Sequence, residues 1–210
     1  MRIARQAAVG EPRALILHIT EENEGDALPE LRERTGAGFL YAALEVADWN
    51  RDLSPWSAPP VFGNAPFGGE AQRTLDALRA DILPRFDPAL PRILGGYSLA
   101  GLFSLWAHYE CDAFRAVAAV SPSVWFPGWD AYADAHRPRG AAYLSLGDRE
   151  DRTRNPQMAT VADAIRRQAA RFEAIPSILE WNPGNHFAQP EVRMAKGFAW
   201  ALNHLDEVTA

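Results

Sequence analysis

The chain holds one cysteine, Cys111, among 210 residues. A lone thiol cannot close an internal disulfide, so a disulfide-stapled scaffold is excluded and nothing asks for an oxidising compartment. Positive charge is not in excess either: 21 Lys and Arg stand against 27 Asp and Glu, a formal net charge of −6. Nucleic acid and anionic membrane surfaces require a basic face, so neither is an expected partner. Long apolar runs are also missing. The more apolar of the two longest uncharged stretches, Ile93 to Tyr109, carries three glycines, two serines and a histidine, and makes a poor membrane span. Behind Arg2 and Arg5 the only apolar stretch is Ala14 to Ile19, below the length of a signal-peptide core, and it reads better as a strand. These absences leave a cytoplasmic enzyme or binding domain.

What is present is an ordinary globular composition, 48% apolar and 23% charged. A chain of this length holds a full core without metal or disulfide staples, and residues 1–210 read as a single domain. Strand-like and helix-like segments alternate along it. Residues 14–19, 39–46, 93–97, 116–121, 141–146 and 177–181 are six strand candidates, each a near-continuous apolar run. Between them lie a short polar helix at 26–34, a helix with Ala71, Leu75, Leu78 and Ile82 at helical spacing that Pro84 stops, and an apolar helix at 99–109. Asn155 and Pro156 form an N-cap and first helical position ahead of a stripe of Met158, Val161, Ile165 and Phe172. Pro190 opens a last helix with Met194, Phe198, Ala201, Leu202 and Leu205 on its apolar face. Buried strands separated by helices imply a parallel sheet covered on both faces, with the chemistry beyond the carboxyl ends of the strands.

The most informative stretch is Ile93-Leu94-Gly95-Gly96-Tyr97-Ser98-Leu99-Ala100-Gly101-Leu102. It sets Ser98 between a strand and a helix, with small residues two before (Gly96) and two after (Ala100). A nucleophile elbow needs this, because side chains at the flanking positions collide as strand and helix close together. The hydroxyl then stands at a helix N-terminus, where backbone N–H groups stabilise negative charge. Alanine replaces the usual glycine at position 100 at the cost of one methyl. A small-residue turn that merely packs a helix tightly on a sheet has the same pattern, so the motif needs partners.

An elbow calls for those partners in the order serine, acid, histidine. Of the histidines after Ser98, His108 ends the elbow helix, His136 precedes the strand that supplies the acid, and His204 lies late in the final helix. His186, in the turn Asn182-Pro183-Gly184-Asn185-His186-Phe187 directly after a strand, is placed to reach over the sheet edge. The acid follows the strand ending at Leu146, where Gly147-Asp148-Arg149-Glu150-Asp151 offers three carboxylates. Glu150 is the expected acid on Gly-x-x-acid spacing; Asp148 and Asp151 are the alternatives, either capping the turn or pairing with nearby arginines. The acid fixes the imidazole tautomer and stabilises the imidazolium.

Together with Leu83-Pro84 and Arg51-Asp52-Leu53-Ser54-Pro55, these motifs resemble the esterase D or enterochelin-esterase-like branch of the α/β-hydrolases over about residues 14–205. The resemblance implies an α/β-hydrolase fold and a serine hydrolase of carboxylic esters, with a small-molecule ester as partner and neither metal nor organic cofactor. Some members of that branch work with a Ser–His pair and a weakly placed acid. It implies oxyanion donors at Leu99, the residue after the nucleophile, and at Ile19 or Thr20 after the first strand. An acyltransferase on the same triad and a non-catalytic binding domain of this fold are the competing readings. Nothing specifies monomer or homodimer.

Seven tryptophans are many for this length. Trp49, Trp56, Trp125, Trp129 and Trp181 fall near the carboxyl ends of the strand candidates and suit an aromatic-walled pocket, or the plugging of sheet edges. Trp106 and Trp200, on helices, read as packing. Arg51 and Arg149 are the candidates for holding an acidic substrate group. Six strands and their helices use up the chain and leave no insertion long enough for a lid. The expectation is an open, shallow, tryptophan-lined cleft walled by the loops at 48–69, 121–130 and 182–189.

Overall fold

The short apolar runs become strands and the periodic stretches helices in a computed structural model that describes residues 1–21 and 26–207. In chain order the first elements are β1 (Arg2–Val9), β2 (Leu15–Thr20), α1 (Ala27–Arg34), β3 (Phe39–Glu45), α2 (Trp49–Leu53), β4 (Ser57–Ala58), β5 (Phe67–Gly68) and α3 (Ala71–Ala77). There follow β6 (Arg92–Tyr97), α4 (Ser98–Glu110), β7 (Ala116–Val120), α5 (Trp129–Ala135), β8 (Ala141–Gly147), α6 (Val161–Ala170), β9 (Ser177–Asn182) and α7 (Pro190–Asn203). Seven strands make one sheet in the order β1-β3-β2-β6-β7-β8-β9, and β4 pairs with β5 alone.

Six strands were expected in the sheet and it has seven. The extra one, β1, runs antiparallel to β3 from Arg2 opposite Glu45 to Val9 opposite Phe39, and every other pairing in the sheet is parallel. As an edge strand it is half-exposed along its length, and its arginines, glutamine and alanines present no apolar run to read. The loop expected at 48–69 contains α2, capped by the Asp48 carboxylate on Arg51 N–H, and the β4–β5 ladder. After Ala77 the helix runs on as a π turn (Leu78–Ile82) and a 3₁₀ turn (Leu83–Arg85), because Pro84 has no N–H with which to continue the α ladder.

Alternation along β2 sends Leu15, Leu17 and Ile19 into a layer shared with Leu75, Leu102, Phe103 and Ile165 of α3, α4 and α6. Ile16 faces the other layer, with Leu28 and Leu31 of α1 and Phe198 and Leu202 of α7. Each such side chain contributes about 1.5–3 kcal/mol of burial, which is why the central strands are apolar on both faces. Helix α4 is buried from Leu99 to Tyr109, so the element that begins at Ser98 is the best-anchored helix in the molecule.

Candidate active site

Ser98 has a φ of 56°, with Tyr97 still extended before it and α4 starting at once. A non-glycine residue in the left-handed region costs about 1–2 kcal/mol, so surrounding packing must hold it there. The glycines show how. A Cβ on Gly96 would lie 2.5 Å from the Ala100 Cβ, and one on Gly101 would lie 3.0 Å from the Gly96 carbonyl oxygen. Ala100 is accommodated because Gly96 has no side chain to oppose its methyl. Among the described residues the other non-glycine positive φ angles are at Ser121, directly after β7, and Gln189, preceding α7, so strain gathers at one end of the sheet.

Strand register assembles the rest. Gly147 of β8 pairs with Asn182 of β9, so the turns that follow the two strands are neighbours. Backbone bonds from Asp148 N to Asn182 O (2.8 Å) and from Arg149 N to Gly184 O (3.1 Å) tie them together. Across this junction the Glu150 carboxylate oxygen Oε2 meets His186 Nδ1 at 2.7 Å. Its other oxygen, Oε1, accepts from Ser121 Oγ (2.6 Å), Gly147 N (2.7 Å) and Arg193 Nη1 (2.9 Å). Burial by itself would raise the Glu150 carboxyl. The hydrogen bond and charge of His186, with the donors Ser121 and Gly147, outweigh burial and hold it below its ordinary 4.5. Neither alternative acid touches the imidazole. Asp148 is half-exposed and accepts from Gly184 N at 2.8 Å, fixing the histidine turn, and Asp151 is exposed.

The sequence reading passed over Arg193, which is as buried as Glu150, their side chains 2% and 3% exposed. Its guanidinium donates to Tyr97 Oη (3.0 Å), Ser121 Oγ (3.3 Å) and Glu150, and through Nη2 to the carbonyls of Pro183 (3.0 Å) and Asn185 (3.1 Å). One side chain of α7 thus clamps both the acid and the turn that carries His186. Tyr97 adds a bond from its hydroxyl to the His186 carbonyl at 2.7 Å, and burial pushes that hydroxyl up to about 12, keeping it protonated. A signal was available: Arg193 lies four residues before Gly197 and eight before Ala201, on the buried face of α7, where a charge demands a counter-ion.

Ser98, Glu150 and His186 line one cleft of about 580 Å³ at the carboxyl ends of the strands. The Ser98 hydroxyl meets Ser123 Oγ at 3.5 Å. Leu99 is the second residue of α4, within the first turn whose N–H groups have no intrahelical acceptor. Of the two residues expected to give a second oxyanion donor, Ile19 lies inside the ladder opposite both Leu44 and Gly96, its side chain in the core. Thr20 stands one residue past the last β2–β6 pair, and Glu21, the next residue, lines the cleft. A larger hollow of about 690 Å³ opens at the amino ends of β6, β7 and β8, beside Arg92, Arg115 and Leu205, and no serine or histidine is among its described lining residues.

Only two of the five expected pocket tryptophans, Trp49 and Trp125, line the cleft. Trp129 opens α5 fully buried, its indole N–H on Gln168 Oε1 at 2.9 Å. Trp56 donates to the Pro127 carbonyl at 2.8 Å and packs on Phe126 and Tyr132. Trp181, on edge strand β9, is 39% exposed beneath the Arg166 guanidinium at 4.9 Å. Phe62, Phe187, Met158 and Val161 supply the remaining apolar wall. Arg51 pairs with Asp52 (2.7 Å) and Arg149 lies beside Asp148, and neither reaches the cleft. Among the described residues no three His, Cys, Asp or Glu side chains cluster as a metal site would require, and no helix is long and apolar enough to cross a membrane.

No protein-family model matches the chain, and no curated protein matches it. Solved structures do. An IroE-like serine hydrolase from Shewanella oneidensis superposes with a TM-score of 0.74 at 15% identity, over 90% of this chain and 70% of that one. The siderophore hydrolase EstA from Aspergillus nidulans gives 0.67 at 18% identity, over 93% of this chain and 84% of that one. The enterobactin esterase FES from Shigella flexneri, crystallised with 2,3-dihydroxy-N-benzoyl-glycine, gives 0.70 at 18%, over 94% of this chain and 55% of that one. Identities this low carry the architecture alone, and on that ground the chain has the α/β-hydrolase fold of these esterases.

Proposed function

We propose that this chain is a serine hydrolase that cleaves carboxylic esters through an acyl-enzyme on Ser98. The observation that carries the reading is the His186 imidazole held at 2.7 Å by a buried carboxylate, in the same cleft as a serine at a φ of 56°. With Nδ1–H donating to Glu150, Nε2 is the ring's acceptor, the tautomer a general base requires. In the reaction the Ser98 hydroxyl gives up its contact with Ser123 for one with Nε2, since catalytic hydrogen bonds often form only in the substrate complex. His186 takes the serine proton as Oγ attacks the ester carbonyl. The oxyanion is received by the Leu99 N–H and by a donor from the Thr20 end of β2, and each such donor contributes about 3–4 kcal/mol to the transition state. His186 then protonates the leaving alcohol, and in the second half it activates water to release the acid.

Names given to the similar structures, an IroE-like serine hydrolase, siderophore hydrolases and enterobactin esterases, support ester cleavage as the reaction class. Fluorophosphonate labelling with peptide mapping is the direct test. Modification at Ser98 that disappears in His186→Ala is expected; modification elsewhere, or none, refutes the triad.

A further inference from the structure

The hydrolase reading leaves the substrate open, and the charges around the cleft narrow it. Thirteen of the described residues line the cleft, and none of them is lysine or arginine. Its charged side chains are two carboxylates. Glu150 is engaged by His186, Ser121, Gly147 and Arg193, and Glu21 stands on the opposite side of the elbow, directly after β2. Arg51 and Arg149, the two candidates for holding an acidic group, lie outside and beside carboxylates of their own, and the buried Arg193 is committed to Glu150, Tyr97 and the histidine turn. An anionic group entering here gives up its water and finds no lysine or arginine among the described lining residues to replace it.

The walls point the same way. Of the four large apolar side chains left exposed among the described residues, Phe62 (46%) and Phe187 (85%) both border this cleft. Phe62 stands edge-on to Trp125, with 6.1 Å between ring centroids, and Phe187 stands edge-on to the His186 ring at 5.4 Å. Trp49 completes an aromatic surround. Exposed aromatic rims around a concave site gain from covering by a flat apolar group.

We infer that the cleft selects esters whose bound portion is uncharged and aromatic, and that it rejects esters bearing a carboxylate or phosphate there. This rests on the hydrolase reading, and two matched ester pairs test it. One pair is the 4-nitrophenyl esters of phenylacetic and 4-carboxyphenylacetic acid, which varies the acyl half. The other is phenyl acetate and 4-carboxyphenyl acetate, which varies the alcohol half. With rates divided by those of hydroxide hydrolysis, kcat/KM for the carboxylate member is expected to fall about tenfold or more in the pair whose varied ring enters the cleft. Phe62→Arg is expected to narrow that ratio at least about threefold by giving the mouth a cation. Both pairs within about twofold, with Ser98 still labelled by a fluorophosphonate, overturn the selectivity and leave the hydrolase reading standing. Absence of both turnover and labelling removes the hydrolase reading and this inference with it. If Ser98 labels but no ester turns over, protection of the serine by phenylboronic acid and not by 4-carboxyphenylboronic acid upholds the inference, and equal protection overturns it.

Discussion

Replacing Arg193 with methionine keeps most of the unbranched stem and removes the charge and its donors. What remains is a Glu150 carboxylate 3% exposed, without its cation, and two carbonyls of the histidine turn, at Pro183 and Asn185, without their guanidinium donors. Breaking a buried ion pair from one side costs about 3–5 kcal/mol, because the stranded charge stays desolvated. Each orphaned carbonyl adds about 1 kcal/mol. The bonds from His186, Ser121 and Gly147 to Glu150 offset part of this. A net loss of about 3–5 kcal/mol is expected, which in a chain of this size lowers Tm by roughly 6–20 °C. Urea denaturation and a thermal scan measure it. Activity separates positioning from mere scaffolding. With the guanidinium gone the turn that carries the imidazole is held less tightly, so kcat is expected to fall about 10–100-fold from the loosened imidazole while KM changes little. Arg193→Lys restores charge without the fork and is expected to fall between the two. A variant Arg193→Met that loses less than about 1 kcal/mol and keeps kcat within twofold would refute the clamp.

Three further outcomes follow from the elbow and the buried histidines. Ser98→Gly is expected to be about 1 kcal/mol more stable than Ser98→Ala, the reverse of ordinary helix preference, because position 98 sits at a φ of 56°; denaturant midpoints decide it. Gly96→Ala would place a Cβ 2.5 Å from the Ala100 Cβ and 2.7 Å from its carbonyl carbon. A loss of about 1–3 kcal/mol is expected, and Ala100→Gly in the same chain is expected to recover part of it, since the backbone contact persists. His18 and His108 are held at about 4, both by burial, against 6.5 for an ordinary histidine. Their unfolded forms bind protons that the folded forms refuse, so stability is complete above pH 6.5 and drains as pH falls towards 4, at up to about 1.4 kcal/mol per pH unit for each histidine. Unfolding followed against pH is expected to show the slope, reduced in His108→Gln; a flat profile between pH 6 and 4 would count against the buried neutral pair. Glu150, held below its ordinary value, contributes in the same direction at lower pH, its share lost as pH falls below 4.5.

How much could be read beforehand differs by residue for physical reasons. The five inner strands announce themselves because both faces of each are covered; edge strand β9 still shows Ile178, Leu179 and Trp181, and β1 is silent because an edge strand with polar neighbours needs no apolar run. The tryptophans misled for the converse reason. An indole near the end of a strand serves equally to fill a core, as Trp129 does, to close a loop, as Trp56 does, or to lie on an edge, as Trp181 does. Chain position fixes which end of the sheet a side chain is near and leaves open which way it points.

The sequence by itself determined the parallel sheet, the serine at a strand-to-helix turn and the histidine in the turn after the last strand. These rest on local rules, apolar runs and small residues where strand and helix close, which act over a few neighbours. Only the tertiary structure decided among the three carboxylates after β8, and it did so through the pairing of Gly147 with Asn182, which brings one turn's acid to the next turn's imidazole. It also recruited Arg193, 43 residues further along the chain than Glu150, as the counter-charge that lets a carboxylate remain ionised in the interior. Charge compensation is a property of what lies within a few ångströms, and chain distance does not set it.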